Sequence, residues 1–429
     1  MPNAYLSMSL PELDDTIADL EAETERLRSL HLSLDMARGK PSPEQVALSR
    51  PMLDVLDSTS DLSDEGVDSC NYGCPDGLPS ARRLMASILG VDAENLVVSG
   101  ASSLSIMFDV VCHAWTHGVC GNTPWCEQGP VRFLCPSPGY DRHFAITEHF
   151  GIENVPVRMT DVGPDMDEVR RLVETDATVK GMWCVPKYQN PTGVTFSDDV
   201  VRQIASLRPA APDFRIFWDN AYVVHDLIQP GDQLLEVFGA LAEAGAPDMV
   251  YEFASTSKVT FPGSGIACVC ASAADMADLR AAFSIQRVCP DKLTQLMHVR
   301  YLHDADGVRA HMVEQASVLR PRFELVERKL SEGLGSVGCA MWTHPRGGYF
   351  VSFDGPEGSA KAIVSLMAEL GVKLTAAGAT WPGGDDPRDT NIRLAPSFPD
   401  LADLGSALDV FVVCVRLVSA RLAREARQG

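Results

Sequence analysis

Apolar positions near the start of the chain recur at helical spacing. Leu13, Ile17, Leu20, Leu27 and Leu30 share one face, and Asp14, Asp15 and Asp19 lie where a helix dipole favours acids. This pattern predicts an amphipathic helix over 11–32. A Pro-, Gly- and Ser-rich stretch follows, from ARGKPSPEQ to NYGCPDGLPS, too long for an ordinary connection and read as a functional arm. From about residue 80, short β-branched apolar runs alternate with longer mixed segments. They predict strands at 96–99, 131–135, 153–158, 179–185, 214–219, 250–254 and 265–271, with helices between them, for example 102–114, 165–174 and 197–207. Continuous apolar strands separated by helices indicate a mainly parallel sheet covered on both faces. Beyond about 290 a helical stretch leads to GGYFVSFD, GVKLTAAG and NIRLAP, read as strands, and to an apolar helix from Leu401 to about Arg424. The fold class is therefore α/β. A three-layer α/β/α large domain is expected over 51–310, with a smaller α+β domain of 311–429 completed by the N-terminal helix and arm of 1–50.

Composition narrows the partners. With 429 residues there is room for two or three domains, and 45% hydrophobic with 22% charged residues is globular. A net charge of −22 disfavours nucleic acid and anionic membranes. Met1 to Leu10 has no secretory pattern, and no apolar run reaches the ~18 residues of a membrane span. The 12 cysteines sit mostly in apolar stretches, with no CxxC pair and no zinc spacing. That pattern predicts buried thiols in a cytoplasmic protein and no metal. The loop around Cys120 and Cys126 is the one place where a disulfide would fit.

Several polar islands lie at predicted strand ends, where open α/β sheets bind ligands. Ser255-Thr256-Ser257-Lys258 directly follows the strand VYEFA. Partial burial there lowers a lysine toward a nucleophilic amine able to form a Schiff base with a carbonyl cofactor; taken alone, it reads first as a surface lysine after a strand. Asp219 ends the strand FRIFWD and needs a partner if buried: a protonated pyridine nitrogen, or the donors of the next turn. Tyr222 can donate to a cofactor oxygen or simply pack. Ser99 to Leu104 opens a helix with small residues and hydroxyls, an anion site or ordinary helix punctuation. Asn190-Pro191-Thr192-Gly193 is a rigid turn that can present the Asn amide to a phenolate oxygen. Tyr140 can stack on a flat ring, with Phe144 as the fallback. Arg393, inside the apolar strand NIRL, demands an anion: a substrate carboxylate or an internal Asp or Glu.

Taken in order, ARGKPSPEQ, NYG…GLPSAR, PGYDRHFAITEHFGI, NPTGVT, PDFRIFWDNAYVVHDL, ASTSKVTFPGSGIA, GGYF, AGAT and DPRDTNIRLAPSFP resemble the fold-type I aminotransferases that use pyridoxal 5′-phosphate. The likeness runs from about Asp35 to the C-terminus and is closest to a bacterial aspartate aminotransferase branch. It implies an aspartate aminotransferase-like fold and ping-pong transfer of an amino group between an amino acid, aspartate-like first, and a 2-oxo acid such as 2-oxoglutarate. By this resemblance Lys258 carries the cofactor as a Schiff base and shuttles the proton, and Asp219 holds the pyridine nitrogen. Asn190 and Tyr222 bind the phenolate, and Tyr140 stacks on the ring. Ala101, Ser102, Ser103, Ser255 and Ser257 surround the phosphate. Tyr72 reaches the phosphate of a neighbouring subunit, implying a homodimer. Arg393 clamps the substrate α-carboxylate, assisted by Asn190 and by the close approach of Gly39.

There are departures from the family pattern. Pro262-Gly263-Ser264-Gly265 carries no base where many relatives place one on the phosphate, and Ala101 stands where closer relatives tend to have Asn. The surroundings of Arg287, Cys289, Thr294 and Met297, and the loop Trp381-Pro382-Gly383-Gly384, also differ. A dicarboxylic substrate needs a second cation, for which Arg38, Lys40, Arg287 and Lys292 are candidates. The alternative reading keeps the cofactor but changes the reaction to elimination or replacement, decarboxylation or a retro-aldol step. A non-catalytic binding module on the same fold is a third, disfavoured by the intact lysine.

Overall fold

The computed structural model describes residues 3–428. Eight strands form the central sheet: Leu96–Val98 (β1), Arg132–Ser137 (β2), Glu153–Thr160 (β3), Gly163–Pro164 (β4), Val179–Cys184 (β5), Arg215–Asp219 (β6), Val250–Ser255 (β7) and Ala267–Cys270 (β8). Their order across the sheet is β1-β8-β7-β6-β5-β2-β3-β4. The run from β7 to β3 is parallel, β8 is antiparallel to both of its neighbours, and β4 folds back on β3. Side chains alternate across the sheet with the strand period. Phe133, Trp183, Phe217 and Phe253 pack on one face. Leu134, Met182, Ile216 and Trp218 pack on the other. Burial on both faces explains why these strands read as unbroken apolar runs. From β2 the chain steps outward to β3, whereas β5, β6 and β7 are added on its other side. The carboxyl ends of β2 and β5 therefore flank the crevice where the strand order reverses, which is where such sheets hold ligands.

A second, antiparallel sheet is formed by Met341–Trp342 (β9), Val351–Asp354 (β10) and Asn391–Leu394 (β11). The long helices Leu10–Arg28 (α1), Ala305–Leu334 and Leu401–Gln428 pack with it. Leu13, Ile17, Leu20 and Leu27 of α1 join one apolar cluster with Leu404, Leu408, Phe411 and Val415 near the C-terminus. The apolar face predicted at the N-terminus thus finds its partner some 400 residues away. Ser9 and Glu12 form a capping box that starts α1. The helix stops at Arg28, short of the predicted end, and Leu30, counted on its apolar face, is exposed. The irregular arm hides a short helix, Pro43–Leu48, capped by Ser42 and Gln45, which has too few turns to show a period. The run GVKLTAAG contributes only Val372–Lys373, paired with Leu34–Asp35 of the arm. No described helix is long and apolar enough to cross a membrane.

The cysteine expectation needs two corrections: only six of the 12 thiols are buried, with Cys70, Cys120 and Cys126 exposed and Cys74, Cys112 and Cys289 partly so, and the disulfide is absent. Cys120 and Cys126 are free and exposed, and the Cys120 thiol donates to Asp275 Oδ1 at 3.2 Å instead of forming a disulfide. Burial of the sulfur and the adjacent carboxylate push that thiol up to about 12.

Glu252 on β7 is buried and accepts a hydrogen bond from Asn220 Nδ2 at 2.9 Å. Burial pushes its carboxyl from 4.5 up to about 8. Between these values the folded chain keeps a proton that the unfolded chain has released, so stability falls as pH rises through the window. Glu252→Gln is expected to raise the thermal midpoint at pH 9 by about 2 °C and to flatten its decline between pH 5 and 9. Unchanged melting curves across that range would contradict this.

Candidate active site

The ends of β1, β2, β5, β6 and β7 and one strand of the second sheet supply the site. At the end of β7, Thr256 is buried; its N–H donates to the Ile266 carbonyl at 2.8 Å, and its Oγ1 accepts from the Ile266 N–H at 2.9 Å. His298 shares hydrogen bonds with Thr256 and Thr260, fixing the turn on both sides of Lys258. Lys258 Nζ donates to Tyr222 Oη at 3.0 Å and lies 4.3 Å from the centre of that ring. Burial lowers the Lys258 ammonium from its ordinary range; Tyr140 and Asp219 oppose the shift, and the Arg393 charge adds to it. The same burial raises the Tyr222 phenol, so Tyr222 stays a neutral donor. Burial likewise pushes the Tyr140 phenol up to about 12.

Asp219 at the end of β6 is 4% exposed. Its Oδ2 accepts from His143 Nε2 at 2.9 Å, whereas Oδ1 is buried with no partner. An orphaned buried carboxylate oxygen at a strand end calls for an N–H from a ligand. His143 was not among the sequence candidates. It lies one turn into the helix Asp141–His149 (α2), three residues beyond Tyr140, and that helical spacing was the available signal. Its ring stacks on Trp183 at 4.6 Å, and Tyr140 meets it edge-on at 4.9 Å. Phe144, the fallback for the stacking role, is a core residue instead: a side chain at Gly139 would come within 2.8 Å of its ring.

After β1, Ala101 and Ser102 lead into the helix Ser103–His117 (α3), whose first N–H groups have no intrahelical partner. Ser255 Oγ and Ser257 Oγ lie 2.9 Å apart. A Cβ added at Gly265 would sit 3.0 Å from Ser257 N and 3.2 Å from the Ala101 carbonyl. The three segments therefore meet in one small cradle, and Gly265 keeps it open. Hydroxyls and a helix N-terminus are groups that could hold an anion there.

Asn190 follows β5 and is buried; its Oδ1 accepts from Arg393 Nη1 at 3.3 Å, leaving the amide nitrogen for another acceptor. Arg393 also lies over the Phe350 ring at 5.0 Å and donates to Asp141 Oδ1 at 2.8 Å. Both sequence options for this arginine therefore stay in play: an internal acid is present, and Nε remains buried without a partner. A Cβ on Gly39 would meet the Phe350 ring at 2.3 Å, so its small size is required by Phe350, the platform of Arg393.

Tyr72 is 80% exposed and stands outside this cluster. Of the four candidate cations for a second carboxylate, Lys292 is engaged elsewhere: its Nζ donates to the Asn71 and Gly73 carbonyls at 2.6 and 3.1 Å, holding the loop that carries Tyr72. Arg38 and Lys40 are exposed, and Lys40 sits over Phe398 at 3.7 Å. Arg287 rests on Phe283, with Nε and Nη2 unpartnered.

A lysine lowered toward its neutral form, an unpaired carboxylate oxygen, an anion cradle and a buried guanidinium in one crevice agree with comparisons to known proteins. Residues 8–427 match the family model described as aspartate aminotransferase. An aspartate aminotransferase of Corynebacterium glutamicum is 41% identical over 406 residues, covering 94% of this chain and 93% of that protein. The crystal structure of an aspartate transaminase from the same organism superposes with a TM-score of 0.95 at 40% identity, over 98% of this chain and 99% of that one. The α-aminoadipate aminotransferase of Thermus thermophilus, solved with N-(5′-phosphopyridoxyl)-L-leucine, shares the fold at 21% identity with a TM-score of 0.70, over 94% and 95% of the two chains. With the match spanning nearly its whole length, this chain belongs to the aspartate aminotransferase family and is a transaminase.

Proposed function

We propose that the chain binds pyridoxal 5′-phosphate in this crevice and moves an amino group between an amino acid with an aspartate-like side chain and a 2-oxo acid such as 2-oxoglutarate. The observation that carries the reading is the buried, unpartnered Asp219 Oδ1 opening on the same crevice as Lys258. The residues fit the cofactor. Lys258 is the amine for its carbonyl carbon, and Asp219 is the acceptor for its ring N–H. Asn190 and Tyr222 are donors for its phenolate, Tyr140 is the stacking face, and Ala101, Ser102, Ser103, Ser255 and Ser257 form the phosphate cradle. When bound, the cofactor supplies an electron sink for a carbanion at the substrate Cα.

The protein's own part then follows from its geometry. Tyr222 holds the Lys258 amine at 3.0 Å, and the burial that lowers its basicity makes Nζ better able to take and return the Cα proton. Asp219, braced by His143, would offer its unpartnered Oδ1 to the ring N–H. Arg393 receives the substrate α-carboxylate on a rigid mount of Phe350 and Asn190. Arg38, Lys40 and Arg287 have donors left for a side-chain carboxylate, those of Arg287 being buried.

The same reading makes the enzyme a cytoplasmic homodimer with shared sites. Tyr72, Ile285 and Val288, at 80%, 89% and 66% exposure, are the surface for a second copy, with Tyr72 directed to the partner's phosphate. It also keeps the division into 51–310 as the cofactor domain and 1–50 with 311–429 as the smaller one, supported by the apolar cluster that joins the two chain ends.

Purified protein mixed with 2-oxoglutarate and a panel of aspartate, alanine, an aromatic and a basic amino acid should form glutamate, fastest with aspartate. Absence of glutamate across the panel would sink the reading. Asp219→Asn is expected to lower turnover by about 100-fold while the bound cofactor's absorbance is retained, because the change removes a charge and leaves the lysine. Equal losses of cofactor and turnover would contradict that role.

A further inference from the structure

Arg393 is already paired in the structure. Nη1 donates to Asp141 Oδ1 at 2.8 Å and to Asn190 Oδ1 at 3.3 Å, Nη2 reaches Thr375 Oγ1 at 3.4 Å, and Nε has no partner. The two members of the ion pair are unequally held. The Arg393 side chain is 8% exposed, while that of Asp141 is 34% exposed. Arg393 is carried by β11 of the second sheet and rests on Phe350. Asp141 is the first residue of α2, on a short side chain open to water. Arg393 cannot leave without stranding a buried charge, whereas Asp141 can turn outward and regain solvation. It keeps a favourable place there, because an acid in the first turn faces the positive end of the helix dipole.

Given the reading of Arg393 as the α-carboxylate site, we propose that Asp141 is a displaceable stand-in for the substrate carboxylate. It satisfies Arg393 in the empty site and yields Nη1 when a carboxylate ligand arrives. A ligand carboxylate matches Asp141 in charge and shape, so binding exchanges one carboxylate for another. Asp141 thereby weakens the affinity of every carboxylate ligand, so that only those with further contacts in the crevice bind well at a given concentration.

Calorimetric titration of the cofactor-loaded enzyme with propionate, a carboxylate without an amino group to react, tests this at low ionic strength. Asp141→Asn and Asp141→Ala should each bind propionate at least five-fold more tightly than the unmodified enzyme. The KM for the amino donor should fall in the same direction. In an Arg393→Ala background, Asp141→Asn should make no difference. Unchanged or weaker binding in both Asp141 variants, with their melting curves intact, would overturn the proposal while leaving Arg393 as the carboxylate site. If Arg393→Ala alone binds propionate as well as the unmodified enzyme does, the assignment of that site fails, and the proposal with it.

Discussion

Lys258→Ala is expected to reduce transamination by about 10⁴-fold or more and to abolish the visible absorbance of a covalently held cofactor. The size follows from what the amine does and from what could replace it. Nζ is the nitrogen that Tyr222 positions at 3.0 Å in a desolvated pocket. The nearest alternative base is His225, whose ring contacts Tyr222 and whose Nε2 lies 3.4 Å from the Lys258 carbonyl. Burial, the largest cause of its lowered basicity, persists when the Lys258 charge is removed, so that imidazole holds a proton too weakly to serve. Tyr222 is no substitute, because burial raises its phenol and keeps it protonated. The turn around Lys258 is held by Thr256, Thr260 and His298, which the substitution leaves in place. The variant should therefore fold, and its melting curve separates lost chemistry from lost structure. An enzyme that kept its absorbance and its turnover after this change would end the assignment.

Arg393→Ala should lower kcat/KM for the amino donor by about 2–5 kcal/mol, the usual cost of removing one partner of a buried charge pair. The loss comes from the α-carboxylate, which no longer meets a guanidinium. The contacts that Arg393 makes with Asp141 and Asn190 in the empty site are lost too, but they bear on folding stability and not on substrate affinity, and Asp141, 34% exposed, regains water. Most of the loss should therefore appear as weaker substrate binding. Arg393→Lys should recover only part of it, since an ammonium cannot span two acceptors in a fork. A loss of a few tenths of a kcal/mol in Arg393→Ala, measured by steady-state kinetics, would mean that another residue holds the carboxylate.

Chain pattern alone specifies the central sheet, the order of its strand-end islands and the residues that carry charge to them. Seven of the eight strands are legible, the central ones because both faces of the sheet are buried there, whereas the two-residue strand Gly163–Pro164 has no pattern to read. The short Pro43–Leu48 helix is not, because a helix under two turns has no period to read. Lys258, Asp219 and Arg393 stand out because charge next to an apolar strand must be explained by a partner. Which partner lies beyond the sequence. The pairing of His143 with Asp219 joins residues 76 positions apart, and that of Asp141 with Arg393 joins residues 252 apart. The capture of Lys292 by backbone carbonyls leaves no trace in composition or spacing. Local alternation of apolar and polar positions reports which groups leave water, because burial is written into it. Which of those groups meet depends on strand order and on the packing of the second sheet against the first, and that information exists only in three dimensions.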